Sequence, residues 1–193
     1  MSSQIVSVVL AGVGGQGILL ASEIIAQTAM NAGFDVKTNE VHGMAQRGGS
    51  VIGQIRYGKT VYSPIIAKGT AQVLCALEQA EGLRYADYLA PGALAVVNAQ
   101  QIIPVTVSMG AAKYPDNVEQ KLRDQYPRLI YFDASKKAVE LGNIRTANVV
   151  LLGALSTGLD LPLEAWHKAI SACVKSQYVD LNLKAFEEGR KMV

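Results

Sequence analysis

The chain opens on an apolar, β-branched run, Gln4 to Leu10 (Q-I-V-S-V-V-L), followed by glycines in Ala11 to Gly17 (A-G-V-G-G-Q-G) and by helix formers from Ile18 to Ala32. This pattern predicts a buried parallel strand, a glycine turn and a helix. Along the helix Glu23, Gln27 and Asn31 form an i, i+4, i+8 polar stripe, while Ile18, Leu19, Leu20, Ile24 and Ile25 cover much of the rest, so most of its surface is expected to be buried. Gly33 supplies a stop, and Asp35 to Asn39 a second strand that returns the chain to the carboxyl edge of the sheet. Alternation in Ser50 to Arg56, then Gly58-Lys59, then Thr60 to Ile66 predicts a β-hairpin. Strands are next expected at Ala71 to Leu77, Ala93 to Asn98 and Leu129 to Phe132, with helices at Glu78 to Leu89, Asp116 to Tyr126 and Ala134 to Leu141. Thr146 to Leu159 carries no charge. Helices from Pro162 to Lys175 and Val179 to Arg190 are expected to cover the sheet.

No repeat, linker or low-complexity tract interrupts this order, and 193 residues suit one domain with a full core. The expectation is a single domain over residues 1–193, α/β in class: a Rossmann-like doubly wound, mostly parallel sheet with an inserted β-hairpin and C-terminal covering helices. Half the residues are hydrophobic and 18% are charged, below the roughly 25% of ordinary soluble domains, so a partner is expected to cover part of the surface. The net charge of +2 comes from mixed signs with no basic run, which argues against nucleic-acid binding.

Met1 to Ser22 and Tyr88 to Ala112 carry no charge and could be taken for membrane spans. The first has glycines at its middle and no basic start; the second contains Pro91, Asn98, Gln100, Gln101 and Pro104. No membrane segment is expected, and the location is read as cytoplasmic. Cys75 and Cys173 are isolated, which leaves no C-x-x-C pair, no cluster-binding set and no disulfide framework. Each is read as a small core residue, and no metal site is expected.

Two stretches carry candidate chemistry. Gly12, Gly14 and Gly17 have G-x-G-x-x-G spacing, with Gly15 and Gln16 between them. The spacing permits a tight turn and close backbone approach, and the amides of a helix start attract anions. The same glycines would also serve simply to pack helix against strand, and the motif leaves the two readings even. The second stretch, Glu40 to Ser50, reads E-V-H-G-M-A-Q-R-G-G-S. Glu40 is the candidate for a ribose-binding acid, slightly late for that role. His42, Gln46 and Arg47 place a titratable ring, an amide and a charged fork together, and Gly48 and Gly49 let the backbone turn. Against this stands a solvated connection with scattered polar residues. His167, beside Trp166, reads as structural.

With these residues in view, the chain resembles the gamma-type subunit or domain of 2-oxoacid:ferredoxin oxidoreductases, nearly end to end. The resemblance rests on Gly12 to Gly17, Glu40 to Val51, Ser63-Pro64, N-x-x-x-L-G-A-L at Asn148 to Leu155 and N-L-K-A-F-E-E-G at Asn182 to Gly189. H-G-M-A-Q-R-G-G is the specific stretch and looks like the indolepyruvate branch. The resemblance implies a larger partner that holds thiamine pyrophosphate, Mg and 4Fe-4S clusters, decarboxylates an aryl pyruvate, passes electrons to ferredoxin and yields an acyl-CoA, with CoA as co-substrate. This chain would be the subunit without redox groups, inert alone, with no cofactor of its own. Gly12, Gly14, Gly15, Gln16 and Gly17 would hold an anion or CoA; Glu40, His42, Gln46, Arg47, Gly48 and Gly49 would form an interface or substrate loop, with His42 and Arg47 as candidate assistants in catalysis. Two rivals stand: a free-standing NAD-dependent dehydrogenase using Gly12, Gly14, Gly17 and Glu40, and a non-enzymatic CoA-responsive scaffold.

Overall fold

The computed structural model describes residues 5–42 and 48–193, with the backbone alone at His42. Six strands, β1 (Val6–Val13), β2 (Asp35–His42), β3 (Ser50–Gly58), β4 (Ala71–Ala76), β5 (Leu89–Asn98) and β6 (Arg128–Phe132), form one sheet in the order β2-β3-β1-β4-β5-β6. Parallel pairing joins β1 to β4, β4 to β5 and β5 to β6, whereas β3 runs against both β1 and β2. The helices are α1 (Ile18–Asn31), α2 (Gln79–Arg84), α3 (Val105–Ser108), α4 (Val118–Gln125), α5 (Ala134–Glu140), α6 (Ala147–Ser156), α7 (Leu163–Cys173) and α8 (Val179–Arg190). The sequence reading of an α/β doubly wound sheet with covering helices describes this molecule.

Side chains of β1 alternate between two cores, as the period of a strand requires. Val8 and Leu10 pack with residues of α1, α6, α7 and α8, and Val9 and Ala11 pack on the other face with Val118 and Leu122 of α4. Gly33 ends α1 as expected: its φ is 85°, and the amides of Phe34 and Gly33 bond the carbonyls of Ala29 and Met30 at 3.1 and 2.9 Å, the Schellman pattern that only a left-handed residue closes cheaply. The uncharged stretch after Thr146 becomes α6, whose residues from Asn148 to Ser156 are all buried. It lies backbone to backbone with α8. A methyl added at Gly153 would strike the Phe186 carbonyl, and one added at Gly189 would strike the Val150 carbonyl. Trp166 and Phe186 stack between α7 and α8 with centroids 5.4 Å apart. His167 joins those two helices through Nε2, 2.6 Å from Glu187 Oε1, which places it in a structural clip. Cys75 is buried in β4, where burial pushes its thiol up to about 12.

The hairpin differs from the expectation. Ser50 to Gly58 pairs with β2 before it and with β1, not with the segment after it. Both edges of β3 are therefore occupied, and residues 60–66 cannot pair with it. That segment instead crosses the sheet with Val61 and Ile66 buried. Side chains satisfy its backbone: Asp35 Oδ2 accepts from Val61 N at 2.8 Å, Gln54 Oε1 accepts from Ile66 N at 2.8 Å, and Arg56 donates to the carbonyls of Ser63 and Ile65 at 2.9 and 3.2 Å. Alternation in the sequence located the strand; it could not say which neighbour would pair with it.

Candidate functional site

The chain leaves β1 through α1 on one face of the sheet and leaves β4 through α2 on the other, so the crevice of a doubly wound fold opens at the carboxyl ends of these two strands. The two glycine segments singled out in the sequence meet there. Gly14 N donates to Gly49 O at 2.9 Å and Gly48 N to Gly14 O at 3.3 Å, extending the β1–β3 ladder by one step. Gly15 and Gly17 have φ of 104° and 81°, the left-handed region that glycine enters without penalty. Gly17 caps α1, and no side chain caps it. Its amino end thus directs a partial positive charge toward the crevice.

Not every residue of the turn faces outward. A Cβ at Gly12 would come within 3.0 Å of Ile18 and 3.1 Å of Leu77, so Gly12 lets helix and strand approach. Gln16 ties the turn down: Oε1 accepts from Val13 N at 2.8 Å, while Nε2 donates to Leu77 O at 2.8 Å and to Gln100 Oε1 at 3.0 Å. Its amide crosslinks the ends of β1, β4 and β5. At Gly15, by contrast, an added methyl would meet nothing within 4 Å.

Beside Gly15 lies a cleft of about 380 Å³, walled by Gln16, Asn98, Gln100, Arg145 and Asn148 among others. Buried amides fix its walls. Asn98 donates to Leu77 O at 3.1 Å and to Ser135 Oγ at 3.2 Å and accepts from Ala134 N at 2.9 Å; Asn148 donates to Gly17 O at 3.1 Å. Arg145 is exposed at the rim, and among the described residues its guanidinium has no carboxylate partner. A helix amino end and an unpaired guanidinium facing one space favour an anionic group. Sequence reasoning missed Arg145, Asn98 and Asn148. The signals were faint: Arg145 is the last charge before the uncharged run, and Asn148 opens one of the segments that carried the family resemblance.

On the other side of β1 the network is acidic and closed. Glu81 is 5% exposed; Oε2 accepts from Ser50 Oγ and Oε1 from Arg84 Nε at 3.0 Å. Tyr85 OH lies 3.0 Å from the same serine oxygen. Glu78, 1% exposed, caps α2 by accepting from Glu81 N at 3.0 Å. The first residue after the glycine pair is thereby held by α2.

Of the second candidate stretch, Gly48 and Gly49 sit against the turn as given above. Glu40 is not in a loop: it belongs to β2, opposite Gly53. Gln46 and Arg47 lie outside the described residues, as does the side chain of His42, whose backbone ends β2 opposite Val51. The position of Glu40 bears on the dehydrogenase rival. A ribose-binding acid belongs on the strand next to β1, but here β3 intervenes, which moves Glu40 one strand spacing, roughly 4.8 Å, farther from the glycine turn. Among the described residues no group of three His, Cys, Asp or Glu side chains is placed to hold a metal, and no helix is long and apolar enough to cross a membrane.

Comparison with known proteins agrees with this architecture. Residues 7–192 match the family described as pyruvate ferredoxin/flavodoxin oxidoreductase. The chain is similar to the indolepyruvate oxidoreductase subunit IorB of Pyrococcus horikoshii, 44% identical over 190 residues that span 96% of this chain and 94% of that one. It superposes with a TM-score of 0.72 on the crystal structure of a keto/oxoacid ferredoxin oxidoreductase gamma subunit from Geobacter sulfurreducens, 26% identical and covering 97% of each chain. It is also 31% identical to the ketoisovalerate oxidoreductase subunit VorA of Methanothermobacter thermautotrophicus over 95% of its own length, though only 35% of that longer chain. The chain belongs to the pyruvate ferredoxin/flavodoxin oxidoreductase family and is a subunit of a 2-oxoacid:ferredoxin oxidoreductase.

Proposed function

We propose that this chain is the subunit without redox groups of an indolepyruvate-type 2-oxoacid:ferredoxin oxidoreductase. A larger partner carries thiamine pyrophosphate, Mg and 4Fe-4S clusters, removes CO₂ from an aryl pyruvate, passes two electrons to ferredoxin and transfers the acyl group to CoA. The 44% identity to an indolepyruvate oxidoreductase subunit over almost the whole of both chains supports the branch. With only two cysteines, far apart in sequence, the chain lacks the usual ligand set for a cluster of its own.

The cleft beside Gly15 carries the proposed role. The amino end of α1 and the Arg145 guanidinium bind an anionic group, the diphosphate of CoA or a carboxylate of the partner, while Gln16, Asn98 and Asn148 keep the walls in place. Arg47 and His42, from the stretch that opens beside Gly48, act at the interface with the partner. Gly12, Gly14 and Gly17 shape the turn that brings backbone and anion together.

The deciding experiment reconstitutes the complex. The purified chain, given indolepyruvate, CoA, thiamine pyrophosphate and a viologen dye, should give no turnover above blank; turnover without a partner would reject the subunit assignment. In the assembled enzyme, Arg145→Ala should raise KM for CoA about tenfold with kcat little changed, the pattern of lost ground-state binding. An unchanged KM for CoA in the folded variant would exclude the CoA diphosphate, and unchanged affinity for the partner as well would leave the cleft without its ligand.

A further inference from the structure

One buried carboxylate oxygen holds both ends of a loop. Glu78 Oε1 accepts from Ile102 N at 3.2 Å and from Tyr114 OH at 2.5 Å, so residues 103–113 close into a compact Ω-shaped excursion between β5 and α4. The loop is ordered from within as well. Ala111 N bonds Thr106 O at 2.9 Å and Gly110 N bonds Val107 O at 3.0 Å, with Gly110 at φ 74°, so α3 ends in a Schellman cap. Its chemistry is unusual for a surface: no charge occurs from Ile102 to Ala112, yet Val105 and Met109 are 69% and 78% exposed and Ile103 is 47% exposed. An apolar excursion of this kind gains nothing from water, and a buried acid is a costly means of fixing it unless its shape is used.

We propose that the loop from Ile103 to Lys113 is a docking knob for the larger subunit, held in shape by Glu78. The inference rests on the subunit assignment above and adds a place on the surface. Three observations favour the larger subunit as the occupant. The knob stands at the carboxyl edge of the sheet, and the cleft of about 400 Å³ behind it, between the loop and α2, reaches Val13 at the start of the glycine turn. The knob thus stands at the same carboxyl edge of the sheet as the proposed anion site, on the α2 side of β1 rather than the α1 side. In the VorA relative the region matched by this chain is 35% of the whole, so roughly two thirds of that polypeptide lies outside it, in one chain with the counterpart of this fold. A pre-ordered, uncharged, apolar surface also has the composition of the core of a lasting interface.

The test measures the affinity of the purified chain for its larger subunit, together with its own melting temperature and oligomeric state. Val105→Asp and Met109→Asp should each weaken binding at least about tenfold without lowering the melting temperature, since both side chains lie in water in the isolated chain. Tyr114→Phe removes one tie to Glu78 and should weaken binding severalfold, less than either aspartate. Tyr62→Asp, at the opposite edge and 91% exposed, should stay within about twofold. Unchanged binding in both aspartate variants would overturn the knob while leaving the subunit assignment in place. So would a parent chain that self-associates and becomes monomeric in Met109→Asp with its affinity for the larger subunit intact, since the occupant would then be a second copy. A parent chain with no affinity for the larger subunit would reject the subunit assignment and the knob together.

Discussion

At the crossing of α6 and α8 a methyl group on either glycine would strike a backbone carbonyl, whereas at Gly15 it would meet nothing within 4 Å. Both regions are marked by glycine in the sequence, and both belong to segments that resemble the oxidoreductase family. One uses the missing side chain to bring two helices into contact; the other uses the freedom of the backbone and leaves space for something else. The lesson is that a glycine motif acquires meaning only from what an added atom would touch. Asn148 joins the two regions, because it lies on α6 with Gly153 and holds the Gly17 carbonyl.

The largest expected effect is at the crossing. Gly153→Ala or Gly189→Ala should cost about 3 kcal/mol, as the helices must separate and Phe186 and Trp166 must repack. Equilibrium denaturation would measure it. The double variant should lose clearly less than the sum, since one separation relieves both clashes; strict additivity would mean that the two glycines do not share a contact.

Next comes the link. Asn148→Ala leaves the Gly17 carbonyl without its donor and should cost about 1–2 kcal/mol, with a rise in KM for CoA in the assembled enzyme if the turn shapes the anion site. A stability loss with no change in KM would confine Asn148 to structure.

Smaller still, Gly15→Ala keeps open space but forces alanine to a φ of 104°, at a cost of about 1 kcal/mol. If it destabilised the fold as much as Gly153→Ala does, the contrast between the two regions would fail.

The smallest effect is at the amino edge, outside both regions. The Asp35 carboxyl is held below the ordinary carboxylate range, first by its hydrogen bond with Lys37 and then by the Val61 amide. A carboxyl whose folded value is depressed contributes stability above its unfolded value, about 4, and loses it as pH falls through the folded value. Melting temperatures of the parent and Asp35→Asn should differ by a constant, small amount from pH 8 to 5 and draw together as the pH falls below about 4.

Most of the fold was legible because its signals are local. Apolar runs such as Ala71 to Leu77 and the stop at Gly33 each act within a few residues. Pairing is not local. The partner of β3 depends on which strands reach its edges, and 60–66, next in sequence after a glycine turn, passes for the second arm of a hairpin until β1 and β2 have taken both sides. The site divides in the same way. Gly12 to Gly17 was visible as a spacing, but Arg145 reaches the cleft only because α6 folds back to the turn, and the role of Gln16 as a crosslink needs Leu77 and Gln100, 61 and 84 residues away.

The insertion of β3 also sets a clock. β1 is synthesised first, yet its neighbour on one side, β3, spans residues 50–58, and its neighbour on the other, β4, spans 71–76. At roughly 5–20 residues per second, about 2 to 9 s pass between the completion of Val13 and that of Tyr57, which pairs with Val6. For that interval an uncharged strand of Val, Ser, Leu, Ala and Gly has no edge to join. The hairpin of β2 and β3 ends the wait on one side of β1 before β4 exists, so the antiparallel strand that departs from the doubly wound plan gives the nascent chain its earliest sheet.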